Sequence, residues 1–429
     1  MAGDGQPSLD RKLPIFSWAM YDFANTIYSA IVVTAFFPLF MEKITGRQLH
    51  VGITQTVSMV LAGLLVPVAG AIADRTGRAK AYLWWSTVAC CVATVCIALP
   101  ADDRPCKLGV AAPTLAVVAT LLLFGLANLT YQGSLVFYDT LLPAVASPER
   151  QGRVSGLGVG LGYLGVVVVL PTAQFVVTRT GTMRAAFVVA GVAFLLSSLP
   201  LFLFVRVPRP ATRVRASLRI VREQFRVLGA TFRDLRHAPP VLCFFIGNFL
   251  CTDVVNTLIM WTRSYLMKGR GYTESGSLHV LMAMSVSAFV LGMGMGWLTD
   301  RLGPKRTLLA ATGSLLVCIV AASAASSELV VVPTILVLGS GGLAGVWVAG
   351  RKFLLDVAPE GKVGEYFGLY GVTQKLSVLS GLLYSGLSDW TENPQVALFS
   401  LLVPLVIGMA FLAASRPQRV VVSGQQACA

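Results

Sequence analysis

Some side chains of this chain have the chemistry to handle a charged ligand yet lie in stretches with almost no other polar residue. Asp22 and Asn25 interrupt one apolar run, Asp253 and Asn256 repeat the same Asp-x-x-Asn spacing in a later one, and Gln374-Lys375 stands in a third. A charge placed inside a bilayer costs about 2.5–3.5 kcal/mol on insertion scales, so such groups need a partner or a task. The i, i+3 spacing turns both members of each pair to one helix face. Two kinds of chemistry fit. The pairs can bind the ammonium and carboxylate of a zwitterion, with Asp22 or Asp253 titrating as a coupling proton moves. Alternatively, Asp253 and Lys375 neutralise each other and only hold structure.

A second constellation lies between runs. Gly70-Ala-Ile-Ala-Asp74-Arg75-Thr-Gly77-Arg78-Ala-Lys80 is matched by Gly296-Trp-Leu-Thr-Asp300-Arg301-Leu-Gly303-Pro-Lys305-Arg306. A carboxylate at such a loop can accept from a helix N-terminus, and arginines there can hold carbonyl ends or carboxylates opposite. Gly77 and Gly303 suit a tight turn between antiparallel helices. The expected role of Asp74, Arg75, Gly77, Arg78, Asp300, Arg301 and Gly303 is to latch one side of the molecule. Their bland role would be to satisfy turn and orientation requirements.

The apolar runs must position these groups. Of 429 residues, 55% are apolar and 13% charged, about half the charged fraction of a soluble domain. A bilayer core takes roughly 20 helical residues to cross. Runs of that order recur near 15–41, 52–73, 80–99, 113–144, 154–178 and 183–206, then near 240–267, 276–299, 306–326, 329–357, 363–388 and 395–414. The expected fold is an all-α integral membrane protein of twelve spanning helices in two pseudo-symmetric six-helix bundles. The expected division is a tail over 1–14, a bundle over 15–206, a linker over 207–239, a bundle over 240–414 and a tail over 415–429. The linker is basic from Arg206 to Arg236, and Val214, Leu218, Val221, Phe225, Leu228, Phe232 and Leu235 form one apolar stripe, suited to an anionic membrane surface. Most of the 34 Lys and Arg fall on one side of this topology, which places both termini in the cytoplasm of an inner, plasma or organelle membrane. The net charge of +14 therefore reads as membrane orientation and not as nucleic-acid binding.

The halves repeat one another in order: Asp22-x-x-Asn25-Thr26 with Asp253-x-x-Asn256-Thr257, the Asp-Arg-x-Gly loops, and Pro148-Glu149-Arg150 with Pro359-Glu360-Gly361-Lys362. Parallel repeats with a site between them are a transporter architecture. The paired loops resemble the cytoplasmic motif of the major facilitator superfamily. A closer likeness lies in Trp18-Ala-Met-Tyr21-Asp22-Phe23-Ala24-Asn25, Val136-Phe137-Tyr138-Asp139, Gly152-Arg153-Val-Ser155-Gly156 and Glu365-Tyr366-Phe367-Gly368-Leu369-Tyr370. These resemble the vacuole-effluxer-like branch, the autophagy-related vacuolar amino-acid exporters and their bacterial relatives. The chain departs from that branch at Asp139, where Asn is more usual. The resemblance implies small-solute transport, amino acids being the characterised cargo. It also implies a cavity lined by the first, fourth, seventh and tenth helices, so that both Asp-x-x-Asn pairs would meet across it. Asn128, Tyr131 and Gln132 would supply the fourth helix's polar face and Trp347 an aromatic wall on the tenth.

Taken together, the expectation is a monomeric secondary transporter of a small polar or zwitterionic solute, working by alternating access, exporting, and coupled to an ion such as a proton. Asp22, Asn25, Asn128, Tyr131, Gln132, Asp253, Asn256, Trp347, Gln374 and Lys375 are the expected solute-binding residues. Arg351, Lys352, Asp356 and Glu365 are read as surface ion pairs that break and reform during rocking. No phosphate loop of the Gly-x-x-x-x-Gly-Lys-Ser/Thr form occurs, and His50, His237 and His279 are scattered, so neither cofactor, resident metal nor enzyme chemistry is expected. The glycines of helix five, Gly156, Gly158, Gly160, Gly162 and Gly165, read as close-packing faces. Two alternatives remain open: a carrier of a metal ion or chelate, and a transporter-shaped assembly or sensing factor that moves nothing.

Overall fold

The computed structural model describes residues 10–45, 49–100, 114–207, 235–236, 238–359, 362–376 and 379–416. Apolar runs with no water to satisfy their backbone must close every amide internally, and among the described residues they do so as helices. In chain order these are α1 (Lys12–Thr45), α2 (Leu49–Thr76), α3 (Ala79–Cys96), α4 (Thr114–Asp139), α5 (Gln151–Thr180), α6 (Arg184–Phe204), α7 (Pro239–Gly269), α8 (Glu274–Leu302), α9 (Pro304–Ala324), α10 (Glu328–Val357), α11 (Val363–Leu376 and Leu379–Thr391) and α12 (Pro394–Ala414). All but α11 are continuous and apolar enough to cross a bilayer, and α11 is described in two pieces around 377–378. Large apolar side chains such as Leu115, Leu329 and Trp390 stand more than four-fifths exposed, as lipid-facing positions do. The basic stripe expected over the linker falls, for 208–234 and 237, outside the described residues.

Two cores form. One draws on α1 to α6, with Trp18, Tyr21, Tyr28, Phe37, Phe124 and Phe194 fully buried. The other draws on α7 to α12 and also takes in Ala62, Val66 and Val136, where α2 and α4 lie against α11. The halves meet chiefly along α5 against α8 and α2 against α11, with α10 against α5 between them. Glycine makes the first of these contacts possible: a Cβ on Gly156 would sit 2.5 Å from Gly292 O and 2.9 Å from Gly296 Cα. The backbones touch, as the spacing on helix five predicts. The opposite face of α5 packs on α1, where Gly158 and Gly162 lie against Asp22, Trp18 and Thr26.

The repeat extends to the ties within each half. Lys80, opening α3, donates to Val205 O beyond α6 at 2.5 Å; Lys305, opening α9, donates to Ala413 O and Ser415 O at 2.6 Å beside the end of α12. Gly77 and Gly303 take φ of 61° and 86°, the left-handed turns that the two loops require. Helices α1, α7 and α10 each contain a wider, π-helical segment, at Tyr28–Phe36, Tyr265–Gly269 and Ile335–Gly339. In each case it lies in the part of the helix away from the chain termini.

Candidate functional site

The polar groups that join the halves lie toward the face carrying Asp10 and Ser415. Asp74, in the last turn of α2, accepts from Gly364 N at 2.9 Å and Glu365 N at 3.0 Å, the second and third amides of α11. Asp300, in the last turn of α8, accepts from Gly152 N at 2.8 Å and Arg153 N at 2.9 Å at the start of α5. Each carboxylate thus caps a helix of the other half, where unsatisfied N–H groups and the helix dipole favour negative charge. Arg153 adds a contact to Asp300 at 3.5 Å. Arg301 does not reach across: its guanidinium lies 5.0 Å above the ring of Trp297 in its own helix. Arg75 and Arg78 are exposed. In the neighbouring loop, Glu149 is held below the ordinary carboxylate range by its own amide and the Ser147 hydroxyl.

Deeper in, about 9 Å from the end of α10 at 1.5 Å per residue, Arg351 crosses the interface. Its Nη1 lies 3.3 Å from Asp22 Oδ2 of α1 and 3.3 Å from Ser155 Oγ of α5; its Nε lies 3.0 Å from Asp139 Oδ1 at the end of α4. The guanidinium also sits 5.7 Å from the ring centres of both Trp18 and Tyr138, which stack on one another at 4.4 Å. The side chains of Arg351, Asp22 and Asp139 are 12%, 10% and 15% exposed. Low local dielectric makes such a network strong while it lasts and costly to leave half-made. Next to it Lys352 donates to Gln151 Oε1 at 3.3 Å and Asp356 Oδ1 at 2.7 Å. The expectation of surface ion pairs at the end of α10 is thereby corrected. Small residues from Ser340 to Gly350 let α10 lie close to α5 and carry Arg351 inside, where it is shielded from water.

The Asp-x-x-Asn pairs take different surroundings. Asn25 Nδ2 donates to Asp22 Oδ1 at 3.1 Å, so this pair acts as a unit beneath Arg351. Asp253 does not meet it across a shared pocket. It is 1% exposed and accepts from Ser380 N at 2.8 Å and Ser380 Oγ at 2.6 Å, on α11 of its own half. The reason is local: in α7 the carboxylate turns to the backbone amide and hydroxyl that α11 offers beside it. Asn256 is half-buried one turn on. The helix bearing Lys375 is described but its side chain is not, so the pairing expected with Asp253 lies outside the described residues.

On α4, Asn128 donates to Ser58 Oγ at 2.7 Å and Gln132 Nε2 lies 3.4 Å from Met59 Sδ, both toward α2. Tyr131 packs on Tyr28 at 4.7 Å. These three residues sit inside the first half. Trp347 is half-buried and packs, as Tyr163 does, on the cluster of Val159, Ala344 and Val348 at the seam of α5 and α10, and Gln374 is half-buried in α11. The structure adds Arg351, Asp139, Ser155 and Gln151 to the polar interface. Among the described residues no cluster of three or more His, Cys, Asp and Glu is placed to hold a metal ion.

On the side away from the termini, the bonds described stay within one half. Arg270 reaches Ala325 O at 2.7 Å and Glu328 at 3.4 Å, Tyr272 Oη donates to Glu328 at 2.8 Å, and Gln395 Nε2 donates to Gly269 O at 2.6 Å. The accepting carboxylate raises the Tyr272 phenol above its ordinary range.

The chain is similar to several known proteins. A bacterial protein of Bacillus subtilis (strain 168), described as the uncharacterized MFS-type transporter YxiO, is 26% identical over 92% of this chain and 93% of its own. Autophagy-related protein 22 of Yarrowia lipolytica is 28% identical over 59% of this chain and 48% of its own length. The crystal structure of a bacterial homologue of the iron transporter ferroportin in an outward-facing state superposes with a TM-score of 0.72 at 16% identity, covering 94% of this chain and 98% of that one. A sequence profile described as the Major Facilitator Superfamily matches residues 23–382. With that match over most of its length and the twelve-helix fold beneath it, the chain belongs to the major facilitator superfamily and is a multi-pass membrane transporter of that family.

Proposed function

We propose that this transporter is a secondary carrier of a small polar or zwitterionic, amino-acid-like solute. It works by alternating access of the two halves, exports its solute, and draws on an ion gradient. Both termini lie in the cytoplasm, so the latched face is the cytoplasmic one. The observation that carries this reading is Arg351 of the second half held by Asp22 and Asp139 of the first. An ion network inside one bundle only stabilises it. One that spans a rocking interface must break in every cycle, and a solute bearing charge can take the place of either partner. The asymmetry of Lys and Arg supports the orientation, and the resemblance of the Tyr21-Asp22-Phe23-Ala24-Asn25 string to vacuolar effluxers supports the amino-acid character.

The test is flux. The purified full chain is reconstituted in liposomes and assayed with labelled amino acids, with divalent cations as the contrasting panel. The expected result is amino-acid flux that Asp22→Asn abolishes while the variant still folds. A chain that moves neither class of solute, but loses a partner protein when the linker arginines are neutralised, would be an assembly factor, and the reading would fail.

A further inference from the structure

The corner where α7, α10 and α11 meet holds polar groups that the interfacial ion network leaves unused. Asn248 is fully buried, and neither its Nδ2 nor its Oδ1 makes a hydrogen bond of good geometry to the protein among the described residues. Tyr370 is 3% exposed, and its Oη makes none of good geometry either, although the amide of Asn248 comes near it. Both lie over Gly350: a Cβ there would come within 2.6 Å of Tyr370 Oη and 3.2 Å of Asn248 Oδ1. Gly350 immediately precedes Arg351, and Tyr370 lies within electrostatic reach of that guanidinium. Gln374, one turn further along α11, approaches the same phenol. Native proteins satisfy nearly all buried polar atoms, so a cluster of poorly bonded ones marks a place that a further ligand can complete.

We propose that Arg351, Tyr370 and Asn248 form a carboxylate subsite of the second half, filled when Arg351 lets go of Asp22 and Asp139. This inference rests on the transport reading above and names which residues take the anionic end of the solute. A guanidinium, a phenol O–H and an amide N–H₂ are all donors, and a planar oxyanion can accept from them together, with arginine able to engage it through two parallel bonds. In the latched state the carboxylates of Asp22 and Asp139 occupy the arginine as stand-ins for that ligand. The missing side chain at position 350 lets the phenol and the amide close over the backbone next to Arg351. Water alone would satisfy the same atoms without distinguishing a charged ligand from a neutral one, and this difference can be measured.

The full-length protein in liposomes is first screened with labelled amino acids, and the best-transported one is competed by its own carboxamide and by its deaminated acid. The wild type is expected to prefer the free carboxylate over the carboxamide by at least about tenfold, the size of a charge-assisted contact. Tyr370→Phe and Asn248→Leu should each shrink that ratio about threefold or more while leaving the preference for the amine unchanged. Without solute, Tyr370→Phe should melt within error of the wild type, since the phenol makes no well-formed bond whose loss would be felt. Intact flux with an unchanged carboxylate-to-carboxamide ratio in both variants overturns the subsite alone and leaves water as its occupant. A lowered melting temperature for ligand-free Tyr370→Phe makes the phenol structural and also overturns it. Failure of every amino acid to move removes the transport reading, and the subsite with it.

Discussion

Asp74 and Asp300 make the same bond twice, each carboxylate spanning the second and third backbone amides of a helix in the opposite half, at 2.8 to 3.0 Å. One latch joins α2 to α11 and the other joins α8 to α5. The pseudo-twofold relation between the halves is thus carried down to individual hydrogen bonds. Each half holds one carboxylate and one helix terminus, so neither latch closes without both halves in place.

Removing either carboxylate should loosen this face. Asp74→Asn and Asp300→Asn each lose charge at a helix N-terminus, a contribution of about 0.5–2 kcal/mol. The readout is labelling of a cysteine placed at the seam of α2 and α11 by a membrane-impermeant thiol reagent. Labelling should quicken in both variants and more in the double variant. Unchanged labelling would show that the caps do not hold the face shut.

The Arg351 network should be strongly non-additive. Arg351→Ala removes the cation that two part-buried carboxylates share and is expected to cost about 3–5 kcal/mol of stability. In Asp22→Asn/Asp139→Asn protein, the same Arg351→Ala change should cost far less, because the charges it neutralised are gone. Thermal unfolding of the single, double and triple variants in detergent measures this. Equal costs in both backgrounds would contradict the coupling.

Glycine on the α5–α8 seam should be irreplaceable in the latched state. A methyl at Gly156 would overlap Gly292 O, whereas Gly294 on the same helix α8 has nothing within 4 Å of the site a Cβ would take. Gly156→Ala should therefore lower disulfide cross-linking between cysteines introduced on α5 and α8. Gly294→Ala should leave it within error of the wild type.

The turn glycines give a separate, local prediction. Gly303 sits at φ 86° with open space around its Cα, so Gly303→Ala meets no clash and pays only backbone strain, about 1–3 kcal/mol. The melting temperature should fall accordingly, and Gly303→Asn should lose about as much, since ψ of 155° lies outside the left-handed helical region that Asn tolerates. Recovery with Asn but not Ala would argue that the turn relaxes into left-handed helical geometry and that the strain is not as described.

Much of this was legible in the sequence. The spanning runs, the repeat of Asp74-Arg75 in Asp300-Arg301, and the close-packing face of helix five follow from hydropathy and spacing, which act along one element at a time. Asp22 was identified because an acid inside an apolar run is costly wherever the run packs. What the pattern could not supply is which helix lies beside which side chain. Asp253 looks like the twin of Asp22, yet Ser380 on the adjacent α11 takes its carboxylate, while Arg351 of α10 crosses to Asp22. Arg351 read as a surface residue because it is close to a helix end in sequence, and the small residues before it, which draw α10 inward, gave the only hint otherwise. Asn128, Tyr131 and Gln132 do form a polar face on α4, but periodicity fixes a face and not the neighbour it meets, here α2 and α1.

The seam of bare backbone between α5 and α8 bears on how fast the machine can turn. Where Gly156 lies on Gly292 and Gly296, few rotamers need to be re-sorted when the halves slide, so the joint works like an unlubricated bearing with smooth races. Resistance to motion then resides in the polar catches that flank it, and swapping one catch for another resets the tempo of the cycle without reshaping the pivot.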